Sequence, residues 1–338
     1  YEMTSSLVGS EMCIRDSLEI VKGAITSVNL IEDVSIILTG KKQPIQDILD
    51  EYGYKGDRIE ILEANDVITN EESPTAAIRS KKDSSLVVGL NKLKEDDEVV
   101  GFISAGSTGA VLSGGLFLIG RMEGVLRPAL APTLPNLNDG KTMLIDCGAN
   151  IDCKPEYLEQ FAIMGSVYMK SMLGVENPRV GLLNIGTESK KGNSLTHEAY
   201  SLLEKCSKIN FIGNVEAREL LSGTVDVVVA DGFAGNIALK ATEGAVANTM
   251  KLLKQSIKEA SVFAKLGAGM LKGVFKKIKT KMDYNSLGGS PFLGVNKIVL
   301  KTHGTSKAET IFSCVKQVIQ IHNSGFITKL KEGLEETK

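Results

Sequence analysis

An acid, an amide and a lysine follow closely on one another in Asp231, Asn236 and Lys240, with Gly232 and Gly235 between them. Such a set can orient an anion and stabilise charge that develops on a carbonyl oxygen. The same types also have a plain use, since Asp231 and Asn236 serve equally well to cap a helix and turn the chain. Gly106, Ser107, Thr108 and Gly109 form a second group, where small residues leave backbone N–H groups open to an oxyanion and the hydroxyls add donors. Tight packing of helix on sheet would explain those glycines nearly as well. Asp146 and Asn150 place another acid and amide together, and Lys190 and Lys191 lie in a loop bounded by Gly186 and Gly192. Adjacent lysines there are either solvated or a seat for phosphate. His303, beside Gly304 and Thr305, is the last candidate, with a structural role as its alternative. Lys81 to Ser85, KKDSS, reads as a solvated loop before an anion site.

Each group follows a short apolar run, which indicates what must position it. Val225, Val227, Val228, Val229 and Ala230 form a short apolar run rich in β-branched residues, as a parallel strand buried on both faces requires. Runs at 34–38, 59–63, 99–104, 142–145, 180–184, 210–212 and 295–301 read as further strands. Helical periodicity covers 18–30, 44–52, 155–173 and the segment up to His322, and a helix starts at Pro74. Alternating strands and helices predict an α/β fold, a doubly wound and mostly parallel sheet. Ligands bind at the carboxyl ends of such strands, where all the candidate groups fall.

Composition narrows the function. Lys and Arg total 39 against 41 acidic residues in 338, so no strong field favours nucleic acid. Five cysteines without paired C-x-x-C spacing argue against a disulfide framework or structural zinc, and Cys147 and Cys153 read as small buried side chains. No metal or cofactor is expected. Neither a membrane span nor a signal peptide is visible, which fits a reducing cytoplasm.

From Ser73 to Ser306 the chain resembles the bacterial phosphate acyltransferase (PlsX) family. The likeness is carried by PTAAIRSKKDSS (74–85), SAGSTGA (104–110), DCGAN (146–150), GLLNIGTESKKGN (181–193), NFIGNVEAREL (210–220), DGFAGNIALKATEG (231–244) and KTHGTS (301–306), in that order. The resemblance implies a fold like that of phosphotransacetylases and of isocitrate and isopropylmalate dehydrogenases. It also implies transfer of a fatty acyl group from acyl carrier protein to inorganic phosphate, a homodimer, and the start of phospholipid synthesis, with an acylglycerol-phosphate acyltransferase possible downstream. Family members typically carry Asn where this chain has Ser107. They open with a strand and an Asp-Ala-Met-Gly-Gly-Asp loop, of which residues 1–17, YEMTSSLVGSEMCIRDS, contain nothing. Residues 1–17 are therefore expected to be non-native, from a translated adaptor or misassembled gene start, with one strand and one wall of the site missing. Residues 18–338 form the enzyme domain.

The chemistry expected is attack of a phosphate oxygen on a thioester carbonyl, with no covalent enzyme intermediate. Phosphate binding falls to Gly106, Ser107, Thr108 and Gly109 with Lys191 and Lys190. Orientation of phosphate and thioester falls to Asp231, Asn236 and His303, with Asp146, Asn150, Gly232 and Lys240 lining the site. A phosphotransacetylase using a coenzyme A thioester is the nearest alternative. A dehydrogenase is disfavoured because no G-x-G-x-x-G follows a strand and only seven arginines are available. A non-catalytic membrane-surface scaffold is the alternative from another class. In 261–282, Phe263, Leu266, Met270, Val274, Ile278 and Met282 recur at steps of three or four, and six lysines but no acid lie between Glu259 and Asp283. The segment is expected to form an amphipathic helical tip that touches an anionic membrane, holding the protein peripherally at the inner face of the cell membrane.

Overall fold

The structure, a computed structural model, describes residues 2–6, 14–69, 71–282 and 288–335. Its strands are β1 (Glu2–Ser6), β2 (Ser35–Gly40), β3 (Ile59–Glu63), β4 (Val99–Ser104), β5 (Ala129–Leu130), β6 (Thr133–Pro135), β7 (Lys141–Ile145), β8 (Arg179–Asn184), β9 (Asn210–Glu216), β10 (Val227–Val229), β11 (Ser290–Leu293) and β12 (Ile298–Lys301). They divide into a seven-stranded sheet in the order β3-β2-β1-β4-β12-β11-β5 and a five-stranded sheet in the order β6-β7-β10-β8-β9. Pairing is parallel except where β11 meets β12 and β5, and where β6 meets β7. The mostly parallel α/β architecture is as the sequence predicts, but the strands make two sheets rather than one.

Residues 129–135 join the sheets, since β5 closes the first and β6 opens the second. A shared core holds them together. Ile36, Leu38 and Ile103 from the first sheet and Met143, Ile145, Val180 and Val227 from the second belong to one buried cluster. The helices Ile14–Leu30, Pro155–Leu173 and Ala308–Asn323 supply Val21, Phe161 and Val318 to it. β10 lies at the centre of the five-stranded sheet, and all three of its valines are buried, which is why its sequence shows no polar alternation.

The first residues depart from expectation. Glu2–Ser6 pairs in parallel with β2 on one side and β4 on the other, so the strand position is filled and not missing. Glu-Met-Thr-Ser-Ser has no apolar alternation to announce a strand, and the backbone ladders on both sides are what define it. The loop expected to follow, at 7–13, lies outside the described residues. β9 runs on through Gly213, Asn214 and Glu216, which the sequence reading places beyond a shorter strand. Val295, assigned there to the last strand, makes only an isolated bridge to Arg121.

Beyond the second sheet the helix Gly232–Glu259 leads into two short helices, Val262–Met270 and Lys272–Lys281, which meet at Leu271. The segment is thus broken in the middle instead of forming one continuous helix. Lys281 ties its return to the turn between β6 and β7 through the Leu137 carbonyl and the Asp139 carboxylate, 2.8 Å from each.

Candidate functional site

Strand register decides which groups share an edge. Val229 is level with Ile145 and Leu182, so the chain leaving β10, β7 and β8 emerges on one side of the five-stranded sheet. Asp231, Asp146 to Asn150, and Asn184 to Asn193 therefore lie along a common rim. Asp146 itself does not reach solvent. Its carboxylate accepts hydrogen bonds from the amides of Leu130 (2.8 Å), Ala149 (3.3 Å) and Asn150 (2.6 Å) and from Asn150 Nδ2 (3.0 Å). Complete burial raises its pKa to about 6 against the pull of these donors. Asp146, buried and fully hydrogen-bonded, thus shapes the loop from within, and partly buried Asn150 braces it by donating also to the Pro128 carbonyl at 2.8 Å.

The loop after β7 packs closely on the start of the Gly232–Glu259 helix. Gly232 N–H donates to the Asn150 carbonyl at 2.7 Å, and a Cβ at Gly232 would come within 2.6 Å of that oxygen. A Cβ at Gly235 would collide with the Asp146 carbonyl oxygen, so glycine is required where helix and loop touch. Asn236 stands over Gly148. Asp231 caps the helix, its Oδ1 accepting from the amides of Phe233 (2.9 Å) and Ala234 (2.8 Å). The capping role open in the sequence is therefore real, and it occupies one carboxylate oxygen.

In the seven-stranded sheet Ser104 is level with Lys301. The turn Ala105 to Gly109 after β4 and the turn Thr302 to Ser306 after β12 are neighbours for that reason. Buried Ser104 Oγ accepts from Gly106 N–H at 3.2 Å, and the helix Thr108–Gly114 begins just past Ser107. Gly109 lies against Pro74, where a Cβ would be 2.7 Å from Pro74 Cγ. Thr302 and Ser306 hydroxyls meet at 2.6 Å and brace the turn that carries His303.

The edges of the two sheets meet through Glu243. One of its oxygens accepts from Lys240 Nζ at 2.7 Å, and the other lies 3.4 Å from His303 Nε2. Lys240 and Glu243, three apart on the helix after β10, thereby reach the turn after β12. Burial pushes the Glu243 carboxyl up, but the bonds from His303 and Lys240 outweigh it and hold the carboxyl below its ordinary value. Beside them the Lys301 ammonium donates to the Thr302 carbonyl, and burial, with the Lys240 charge nearby, lowers its pKa to about 8.

Other sequence candidates fall elsewhere. Lys190 and Lys191 are exposed in the loop after β8 and, among the described residues, have no ion-pair partner. Asn184 and Asn214 shape that loop through the carbonyls of Lys191 (2.9 Å) and Glu188 (2.8 Å). In KKDSS, Lys81 is engaged by Glu72 at 2.8 Å and Ser84 caps a helix, so those residues serve the fold. Burial pushes the Cys153 thiol up to about 12 and Cys147 well above its usual value, so neither thiol is suited to act as a nucleophile.

Sequence reading missed Glu243 and Lys301 as members of the site. Glu243 could have been found from its helical spacing to Lys240, and Lys301 as a charge that ends an apolar strand. Chemically, the arrangement offers cations and amides around a rim whose acid is already paired. It suits an anion and a developing oxyanion better than a metal, and no cluster of three potential metal ligands occurs among the described residues.

The profile of a family described as "Fatty acid synthesis protein" matches residues 6–329. Proteins called phosphate acyltransferase are similar over almost the whole chain. That of Halothermothrix orenii is 46% identical over 319 residues, covering 94% of this chain and 95% of its own. That of Clostridium tetani is 47% identical over 316 residues, covering 94% and 93%. Among solved structures, a phosphotransacetylase from Streptococcus pyogenes superposes with a TM-score of 0.62 at 16% identity, covering 96% of this chain and 93% of that one. A branched-chain phosphotransacylase from Enterococcus faecalis gives 0.55 at 14% identity, covering 95% and 99%. At such identities the structural likeness concerns the fold.

Proposed function

The chain belongs to the phosphate acyltransferase family, and on that premise we propose that it moves a fatty acyl group from acyl carrier protein to inorganic phosphate. It is an acyltransferase, which sets aside the reading as a non-catalytic scaffold. The observation that carries the proposal is the meeting of Lys240, Glu243 and His303 where the carboxyl edges of the two sheets converge. Phosphate sits between the Gly106 to Gly109 turn, His303 and Lys240, with Lys190 and Lys191 drawing the anion in from the loop after β8. Asn236, at the start of the helix capped by Asp231, orients the thioester carbonyl.

A phosphate oxygen attacks the thioester carbon, and the C–S bond breaks as the acyl–oxygen bond forms. The phosphate proton ends on sulfur, so acyl phosphate and a free thiol leave together. Phosphate is a competent nucleophile, and positioning and oxyanion stabilisation supply most of the acceleration. The acyl phosphate then feeds phospholipid synthesis, passing to an acylglycerol-phosphate acyltransferase. The enzyme works as a homodimer at the inner face of the cell membrane. No helix of the described residues is long and apolar enough to cross a membrane. Surface attachment is supported instead by the 261–282 tip, where Phe263 is 86% and Met270 88% exposed among lysines.

The test is donor preference. kcat/KM for an acyl carrier protein thioester should exceed that for the coenzyme A thioester of the same acyl chain. The opposite order would make the chain a phosphotransacetylase-type enzyme.

A further inference from the structure

A cation is buried at the carboxyl edge of the seven-stranded sheet without an acid to match it. Lys301 ends β12 and is 9% exposed. Its ammonium donates to the Thr302 carbonyl, and among the described residues it makes no other hydrogen bond or ion pair. An ammonium has three protons to give, and a neutral carbonyl leaves its charge uncompensated. The groups around it do not supply the balance. Ser104 on β4 and Ser290 on β11, both level with Lys301, carry neutral hydroxyls. Cys314, on the helix Ala308–Asn323, is a neutral thiol that burial pushes up to about 12. Lys240 adds a like charge, and Glu243 is engaged by Lys240 at 2.7 Å and lies 3.4 Å from His303.

Position gives the charge a use. Thr302 N–H donates to the Ser104 carbonyl at 2.9 Å, so the end of β12 is fixed against the start of the Gly106 to Gly109 turn. Alternation along β12 places Lys301 on the face of Val299, which belongs to one buried cluster with Val111 and Leu112 beyond that turn. We propose that Lys301 is a phosphate-binding residue, a buried ammonium whose charge is matched when a phosphate dianion enters between the Gly106 to Gly109 turn and Lys240. The inference rests on the phosphate acyl transfer proposed above and adds a group that grips the nucleophile. Burial, and then the Lys240 charge, lower the pKa of Lys301 to about 8. A bound anion opposes both effects, so anion binding and protonation of Lys301 favour each other. Below pH 8 the ammonium is already present; above it, binding must first take up a proton, and affinity falls. Lys240, Glu243 and His303 face the same anion, so the test compares proteins that differ at 301 alone.

The probe is sulfate, a dianion that does not titrate in this range, measured by calorimetry without any acyl donor. Between pH 7 and pH 9 the affinity of the native protein for sulfate should fall about 5- to 10-fold, following the protonated fraction of Lys301. Lys301→Met should bind sulfate about 10- to 100-fold more weakly at pH 7 and show no such fall. In turnover the same variant should raise KM for inorganic phosphate by a similar factor, while kcat changes by less than about three-fold. Equal affinity at pH 7, an equal fall in both proteins, or a loss confined to kcat overturns the proposal. A second measurement needs no variant. At pH 8.5, sulfate binding to the native protein in two buffers of different ionisation enthalpy should show uptake of about 0.6 proton, and no uptake overturns the inference. A protein that binds sulfate in this way but makes no acyl phosphate would overturn the proposed function and leave the anion site standing. Acyl phosphate formation by Lys301→Met with an unchanged phosphate KM would overturn this inference alone.

Discussion

Replacing Lys301 by Met should stabilise the protein, and by an amount that depends on pH in a defined direction. Lys301 is 9% exposed at the end of β12, and burial lowers its pKa from 10.5 to about 8. A fall of that size costs the folded state about 3 kcal/mol at neutral pH. Between pH 8 and 10.5 the unfolded chain holds the proton and the folded chain releases it, so native stability climbs with pH across that window. Below pH 8 the whole penalty is present. Met keeps an unbranched apolar stem without the charge. Losing the bond to the Thr302 carbonyl returns about 1 kcal/mol, which leaves a net gain of about 2 kcal/mol at pH 7. Urea unfolding of both proteins at pH 7 and pH 10 measures it, and the advantage of Lys301→Met should shrink at the higher pH. A gain equal at both values, or a loss at pH 7, would refute the reasoning.

Further outcomes follow from the same geometry. Lys191→Ala should lower phosphate-dependent turnover about 10²-fold with an unchanged melting temperature, because the side chain is exposed and has no ion-pair partner among the described residues; unchanged turnover removes it from the site. Asp231→Ala should lose activity and also about 1 kcal/mol of stability with the helix cap, whereas Asp231→Ser should recover the stability alone. Recovery of both by Ser would reduce Asp231 to its capping role. Leu271→Glu with Val274→Glu should release the protein from vesicles of anionic lipid while turnover in solution persists. Continued sedimentation with the vesicles, or dissociation to monomers, assigns the tip another duty.

Much of the architecture was legible because buried parallel strands leave a strong trace. β3, β4 and the helix Pro155–Leu173 have the limits their apolar patterns indicate, and β10 is as deeply buried as its valines require. Two- and three-residue strands such as β5 and β6 have no period to detect, so the division into two sheets was hidden. β1 was hidden for a different reason, since its pairing is made by backbone and its residues carry little signal. At the site, strand ends located the right neighbourhoods but not the duties within them. Asp146 and Lys191 are both polar residues that follow a strand, yet one is sealed by four hydrogen bonds and the other stands in solvent. Glu243 lies about three turns into the helix after β10, and its approach to His303 exists only once the two sheets have folded together.

The most direct test follows phosphate and sulfur at once. With an acyl-loaded carrier protein and inorganic phosphate, ³¹P NMR should show an acyl phosphate growing in step with free carrier thiol, and no thiol should appear when phosphate is omitted. Intact-protein mass spectrometry of the same mixture should find no acylated enzyme. Thiol released without acyl phosphate, or an acyl adduct on the chain, would contradict direct transfer to phosphate at this site.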